Sequence, residues 1–264
     1  MESLLQRLVV IFNELLNGNV KGIYLHGSVA MGCFTPKSDI DLLVVVDSQV
    51  EREVKKQFTT KILELDKEFP EKGVELSIVR KEKINPFLYP TPFEYHYSND
   101  HKKKYIEDSD YILENDVDYD IAAHITVIKE RGRTLFGEEI SSMFGEISPL
   151  YYQDSIYRDV SDVMEKGRDN STYYVLNLCR ALYYFKEGVV SSKKEGGEWG
   201  TQNLPAEYKA LIDGALDAYN DGRRWELSIS EKEHFHSFCQ SILAKIKSEK
   251  IKYKNGIKGD NGQM

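Results

Sequence analysis

The sequence predicts a two-part α+β protein, with a mixed β-sheet and helices in its first half and an all-α helical bundle in its second. Apolar runs typical of strands alternate with helical patterns through the first half, whereas helical periodicity dominates from Tyr151 onward. Pro149, within GEISPLYYQD, separates the two patterns. We therefore expect one domain over residues 1–148 and a second over residues 149–264.

The first half begins with an amphipathic helix and continues with three strands. The apolar residues of MESLLQRLVVIFNELL recur at helical spacing, which favours a helix over a signal peptide. GIYLHG, DIDLLVVV and VELSIV read as strands, with a helix over EREVKKQFTTKILELDKEF between the second and the third. The prolines of INPFLYPTPFEYHYSND favour a loop or an edge strand, and the pattern over 117–131 predicts a helix that ends before Gly132.

The second half predicts four helices, over 151–168, 170–187, 205–220 and 229–250, joined by turns that contain glycine or proline.

Composition restricts the classes of function. The net charge of −8 over 264 residues argues against a nucleic-acid partner, because binding a duplex requires a basic face, and it suits a cationic small molecule. Three scattered cysteines indicate neither a disulfide framework nor a zinc site, and no apolar run is long enough to cross a membrane. We expect a cytoplasmic monomer with no membrane partner.

The stretch GSVAMGCFTPKSDID, residues 27–41, carries the strongest chemical signal. Gly27 and Ser28 form a predicted turn after the first strand, where the backbone and a hydroxyl can approach a phosphate. Asp39 and Asp41 alternate along the second strand, so they project from the same face, about 7 Å apart along the chain. Two carboxylates this close repel each other, and a cation between them relieves the repulsion. Mg²⁺ prefers carboxylate oxygens as ligands.

Glu75, on the third strand, offers a third carboxylate. If its face meets Asp39 and Asp41, Glu75 could ligate a second metal ion or accept a proton from an attacking hydroxyl. This set resembles the nucleotidyltransferase superfamily of polymerase-β type: a Gly-Ser turn, ten intervening residues, Asp-x-Asp, and a third acid on a following strand. The resemblance implies ATP as co-substrate and two Mg²⁺ ions.

A narrower resemblance covers almost the whole chain. LHGSVAMGCFTPKSDIDLLVVV, VLNLCRALYYFKEGVVSSKKEGGEWGTQNLP and LIDGALDAYNDG are similar to segments of the aminoglycoside 3″/9-adenylyltransferases, which inactivate streptomycin and spectinomycin. The resemblance implies that the helical domain closes the nucleotide and acceptor cleft. It implies that Arg180 and Lys193 contact the triphosphate, that Tyr219 helps to hold the nucleotide, that Glu75 is the catalytic base, and that Asp39 and Asp41 are magnesium ligands.

The chain departs from this family where the acceptor would bind. Ser98 lies near the position of a tryptophan in streptomycin-modifying members, and Lys166 and Asn170 replace acids. Because an aminocyclitol is cationic, losing acids removes ion pairs that would hold it. Streptomycin is therefore disfavoured, while spectinomycin, another aminoglycoside and a different hydroxylated metabolite all stay open.

We thus expect a Mg²⁺-dependent enzyme that transfers AMP from ATP to a hydroxyl of a cationic antibiotic and releases pyrophosphate. One alternative is a nucleotidyltransferase of the same superfamily that acts on another small metabolite, RNA or protein. Another is a non-catalytic nucleotide-binding module, which would be expected to lack one of the three acids. His124, in DIAAHITV, is interpreted as a hydrogen-bonded core histidine, because its predicted helix is largely apolar.

Overall fold

A mixed five-stranded sheet organises the first half of the chain. The computed structural model describes residues 1–260, with the side chains of 168 and 253–260 left aside; the last four residues of the second predicted domain lie outside it. The strands in chain order are β1 Val20–His26, β2 Ile40–Val46, β3 Val74–Arg80, β4 Thr91–Phe93, β5 Tyr95–Tyr97, β6 Asp116–Asp118 and β7 Arg133–Gly137. The sheet order is β5-β3-β2-β1-β7, with β4 and β6 pairing separately. The prediction of a mixed α/β fold is confirmed.

Only one strand pair of the large sheet is parallel. β2 and β3 run parallel, joined by a helical crossover, whereas β1 pairs with β2 and β7, and β3 with β5, in antiparallel fashion. The first unit's helices are α1 Glu2–Leu16, α2 Gly27–Ala30, α3 Arg52–Glu64, α4 Lys81–Ile84, α5 Lys102–Glu107, α6 Ile121–Arg131 and α7 Ile140–Met143.

The alternation of strand side chains gives this unit two apolar cores, one on each face of the sheet. On one face, Leu42 and Val44 of β2 pack with the apolar residues of α1 and α3. On the other, Leu43 and Val45 pack with α6. The second core matters for the site, because α6 covers the face from which the odd-numbered residues of β2 and β3 project.

Residues 84–100 contain short strands, in agreement with the predicted loop or edge strand: β5 is at one edge of the large sheet, and β4 pairs with β6. The helix expected over 117–131 begins later, at Ile121, because residues 116–118 are drawn into β6. The ladder with β4 supplies backbone hydrogen bonds that compete with the start of the helix.

The second compact unit begins at Ser148, directly after Ile147 ends the first. Its described residues form helices α8 Pro149–Ser161, α9 Val163–Lys166, α10 Ser171–Glu187, α11 Lys193–Asn203, α12 Lys209–Asn220 and α13 Ile229–Asp260, with short 3₁₀ turns between some of them. Pro149 is the first residue of α8, the helical position where proline's missing N–H costs nothing. Across the described residues, none of the helices combines the length and the apolar character that crossing a membrane requires.

One helix of this unit was not foreseen. The sequence pattern predicts a connection over residues 193–203, yet they form α11, which begins with a capping box in which Ser192 and Glu195 bond to each other's backbone N–H.

Candidate active site

Three carboxylates from two neighbouring strands converge at one end of the sheet. In the parallel pairing of β2 with β3, Asp41 lies opposite Glu75, so both side chains project from the same face. Asp39 lies one residue before β2, rather than within it, and two residues before Asp41. One carboxylate oxygen from each of the three residues lies within 4.8 Å of the others. The three acids singled out in the sequence therefore form a single cluster.

This donor set fits a hard divalent cation. Carboxylate oxygens are the ligands that Mg²⁺ prefers, and it commonly completes its shell with water and substrate phosphate oxygens. Asp39, Asp41 and Glu75 are all partly exposed, so an ion and a phosphate can reach them from solvent. Three negative charges this close repel one another, and a bound cation relieves that repulsion.

Gly27 is in direct contact with this cluster. Its φ of +62° lies in the left-handed region that favours glycine, and a Cβ at this position would lie 1.7 Å from Oδ2 of Asp41. Only glycine therefore lets the Asp41 carboxylate take its observed place. Residues 27–30 form the short helix α2, where the sequence predicted a turn at Gly27 and Ser28.

Ser28 carries a hydroxyl group that is unsatisfied in hydrogen bonding within the described residues. Its Oγ is buried and has no hydrogen-bond partner among the described residues. A buried hydroxyl without a partner carries a desolvation cost, which a ligand oxygen can remove by accepting its hydrogen bond. The site thus fits a phosphate oxygen next to the carboxylates.

Two histidines, unexpected from the sequence, flank the acids. His26, the last residue of β1, lies opposite Asp41 in the ladder, and the centre of its ring lies 4.7 Å from that of His124 on α6, with the two rings tilted by 36°. The Nε2 atom of His124 is 3.8 Å from Oε1 of Glu75, and the side chain is 18% exposed. The interpretation of His124 as a core histidine was wrong, because α6 turns this polar residue toward the carboxylates at the margin of the apolar core.

The histidines nearest the core are held neutral by their surroundings. Burial lowers the pKa of His26 well below its ordinary value, and the neighbouring His124 lowers it further. His96 of β5 contacts the Ser77 hydroxyl through Nδ1 at 3.0 Å, and burial lowers its pKa to about 4. These low pKa values favour the neutral forms of His26 and His96 at neutral pH.

In the second unit, Arg180 and Lys193 belong to one group of contacts. Arg180 donates from Nη2 to Oδ2 of Asp159 at 3.2 Å, and the Tyr173 hydroxyl donates to Oδ1 of the same carboxylate. The Nζ atom of Lys193 lies 5.3 Å from the centre of the Tyr173 ring. Two cations proposed from the sequence are thus linked through one aspartate and one tyrosine.

The other residues named from the sequence occupy simpler settings. Tyr219 is the penultimate residue of α12 and is partly exposed; its role stays a prediction. Lys166, at the end of α9, pairs with Asp162 at 2.8 Å. Asn170 immediately precedes α10, and Ser98 immediately follows β5.

Two family models match the chain in succession. A nucleotidyltransferase domain matches residues 5–109, which contain the acid cluster, and the C-terminal domain of aminoglycoside adenylyltransferases matches residues 142–245.

Full-length relatives agree with these matches. A spectinomycin 9-adenylyltransferase of Staphylococcus aureus is 23% identical, covering 82% of this chain and 85% of the relative. An aminoglycoside (3″)(9) adenylyltransferase of Escherichia coli is 24% identical over 92% of this chain and 93% of the relative. The fold is similar to that of a spectinomycin adenyltransferase from Enterococcus faecalis solved with ATP and spectinomycin, with a TM-score of 0.81 at 20% identity over 94% of this chain and 99% of that one. These matches make the chain similar, along most of its length, to the aminoglycoside 3″/9-adenylyltransferases, and they identify it as an enzyme of the nucleotidyltransferase type.

Proposed function

We propose that this enzyme transfers AMP from ATP to a hydroxyl of an aminocyclitol antibiotic, with spectinomycin as the favoured acceptor. The observation that carries the proposal is the cluster of Asp39, Asp41 and Glu75, whose carboxylate oxygens lie within 4.8 Å of one another beside Gly27 and Ser28. The names of the relatives support the substrate class.

In this proposal Asp39 and Asp41 hold Mg²⁺, with Glu75 as a further ligand of a two-ion site. When bound there, Mg²⁺ supplies positive charge that offsets the negative charge on the phosphates. Ser28 donates its hydrogen bond to a phosphate oxygen. Arg180 and Lys193, from the helical domain that we propose closes over the nucleotide, bind the triphosphate, and Tyr219 helps to hold the nucleotide.

The proposed reaction is an in-line displacement at the α-phosphorus. Glu75 accepts the proton of the acceptor hydroxyl, whose oxygen then forms a bond to the α-phosphorus. The bond from the α-phosphorus to the bridging oxygen breaks, and pyrophosphate leaves with the electron pair. The product is an AMP ester of the acceptor.

The acceptor assignment follows from charge. Lys166 and Asn170 replace acids that hold streptomycin in the family members that modify it, and a lysine repels a cationic drug. The pairing of Lys166 with Asp162 offsets part of that charge without restoring an acid. Streptomycin carries strongly basic guanidino groups, whereas spectinomycin carries only secondary amines, so we expect the latter to tolerate this surface better.

The test is a mass-shift screen. The purified protein, ATP and MgCl₂ are incubated with spectinomycin, streptomycin and kanamycin in separate reactions, and each product is analysed by mass spectrometry. We expect addition of AMP to spectinomycin with matching release of pyrophosphate. Glu75→Gln should abolish most product, whereas Asp47→Asn, at the opposite end of β2, should not, because Asp47 is exposed and pairs only loosely with Lys21. Transfer of AMP to none of the three drugs would contradict the proposal.

A further inference from the structure

We propose that Asp159 is a positioning residue that fixes Arg180, and through Tyr173 also Lys193, in the geometry with which they bind the ATP triphosphate. This inference rests on the proposed function, because it assumes that the two cations bind ATP. It assigns a role to a residue that the proposed function leaves without one.

The geometry of two packed helices brings the three side chains together. Tyr173 and Arg180 are seven residues apart on α10, about two turns, and therefore lie on the same face of the helix. Helix α8 packs against that face, since the rings of Tyr152 and Tyr184 meet edge to face at 4.5 Å. Asp159 lies seven residues after Tyr152 and so shares its face of α8. Its carboxylate consequently points at α10, where one oxygen accepts a hydrogen bond from Tyr173 and the other accepts one from Arg180.

The link to Lys193 runs through the aromatic ring. Lys193 is the first residue of α11, and its ammonium lies 5.3 Å from the centre of the Tyr173 ring, within the range of a cation–π contact. Helix α11 can approach α10 this closely because it presents glycine there. A Cβ at Gly196 would lie 2.7 Å from the backbone of Arg180, and one at Gly200 would lie 2.6 Å from Sγ of Cys179.

One carboxylate therefore restrains both cations. A guanidinium has five N–H donors in a planar fork, so it can bind a carboxylate on one side and a phosphate on another. Long cationic side chains lose much rotational freedom when they bind a ligand, and a partner that restrains them beforehand reduces that loss.

Whether ATP binding weakens or tightens when Asp159 is neutralised distinguishes a positioning role from a purely electrostatic one. Asp159 is negative, and a negative charge near a triphosphate repels it. If Asp159 acted only through its charge, neutralising it would tighten ATP binding. If it positions Arg180, neutralising it weakens ATP binding although a repulsive charge has been removed.

The substitution Asp159→Asn is suited to the test because it should leave the fold intact. Asp159 and Arg180 are both partly exposed, at 24% and 23%, and pairs in such settings contribute little to folding. Asparagine keeps the shape of the side chain and an oxygen that can accept from Tyr173. Asp154→Asn is the matched control, since Asp154 is also on α8 and pairs with Arg158 and Lys250, which have no part in the proposed site.

The experiment measures ATP binding by isothermal titration calorimetry and steady-state kinetics for Asp159→Asn, Arg180→Ala and the double variant. We expect Asp159→Asn to weaken ATP binding about tenfold while the KM for the acceptor changes less than twofold. The control should bind ATP like the parent protein. In the Arg180→Ala background, Asp159→Asn should have no further effect, because asparagine keeps the oxygen that accepts from Tyr173 and so leaves the contact with Lys193 in place. A merely structural role would not predict this result.

Unchanged or tighter ATP binding in Asp159→Asn would overturn the inference, as would equal weakening with and without Arg180. If Arg180→Ala weakens ATP binding and Asp159→Asn does not, only the role of Asp159 fails. If Arg180→Ala binds ATP normally, the assignment of Arg180 itself is wrong. Should Asp159→Asn not fold, Asp159→Glu, which displaces the charge by one methylene, takes its place with the same expected weakening.

Discussion

Replacing Gly27 by alanine should disable the site far more than it destabilises the protein. The added Cβ would lie 1.7 Å from Oδ2 and 2.5 Å from Cγ of Asp41, whereas real Cβ contacts essentially never fall below 3.0 Å. The Asp41 carboxylate must therefore move by more than 1 Å from its observed place in the cluster. A misplacement of about 1 Å in a reacting geometry costs about 100-fold in rate, or about 2.7 kcal/mol.

The cost to folding is smaller and has a separate cause. Alanine at a φ of +62° loses about 1–2 kcal/mol relative to glycine, because its Cβ crowds the following carbonyl. The displaced carboxylate is partly exposed and can rotate toward water, so it adds little to this cost. We expect the Tm to fall by several degrees and kcat/KM to fall about 100-fold.

Gly32→Ala, two residues after the end of α2, provides the matched control. Gly32 also has a positive φ, +70°, but a Cβ there would meet nothing within 4 Å. It should therefore lose the same 1–2 kcal/mol of stability and keep kcat/KM within about twofold. Thermal unfolding and initial rates of AMP transfer measure both quantities. Near-native turnover by Gly27→Ala, or an equal loss of activity in Gly32→Ala, would refute the argument that Gly27 is required by the position of Asp41.

Three further outcomes follow from the same structure. In a Mn²⁺ titration followed by electron paramagnetic resonance, Asp41→Asn should bind the ion more weakly than the parent protein, and equal binding would contradict the metal site. Lys55→Met should destabilise the protein by about 3 kcal/mol in urea unfolding, because Lys55 is 1% exposed and its loss leaves Glu94 and Glu114 without their buried cation, whereas an exposed lysine would cost far less. Burial lowers the pKa of His96 to about 4, whereas its value in the unfolded state is about 6.5. Between pH 4 and 6.5 the unfolded state therefore binds a proton at His96 that the folded state does not, and the free energy of unfolding should fall by about 1.4 kcal/mol per pH unit as the pH drops. His96→Gln should reduce that slope.

The acid cluster could be predicted because its geometry is local to two strands. Strand periodicity predicts that Asp39 and Asp41 share a face, although Asp39 lies one residue before β2, and parallel pairing in register sets Glu75 beside Asp41. The histidines could not be found in this way. His124 reaches Glu75 only because α6 packs over the sheet, and that tertiary contact leaves no trace in the pattern of its own helix. His26 did carry a usable signal, since it ends the strand that precedes Gly27.

Helix α11 escaped prediction for a different reason. Its sequence, KKEGGEWGTQN, contains three glycines, which lower helix propensity, so the pattern favoured a connection. Tertiary packing overrides that preference. A Cβ at Gly196 or Gly197 would lie 2.7 Å from an atom of α10 or α12, and a Cβ at Gly200 would lie 2.6 Å from an atom of α10.

The most direct test compares ATP binding with AMP transfer in Glu75→Gln. Glutamine keeps the size of the side chain but cannot accept the acceptor's proton. We expect ATP affinity within a few-fold of the parent protein and a rate of AMP transfer to spectinomycin reduced by about 10²–10⁴-fold. Transfer at a near-native rate would contradict the assignment of Glu75 as the proton acceptor at the centre of this account.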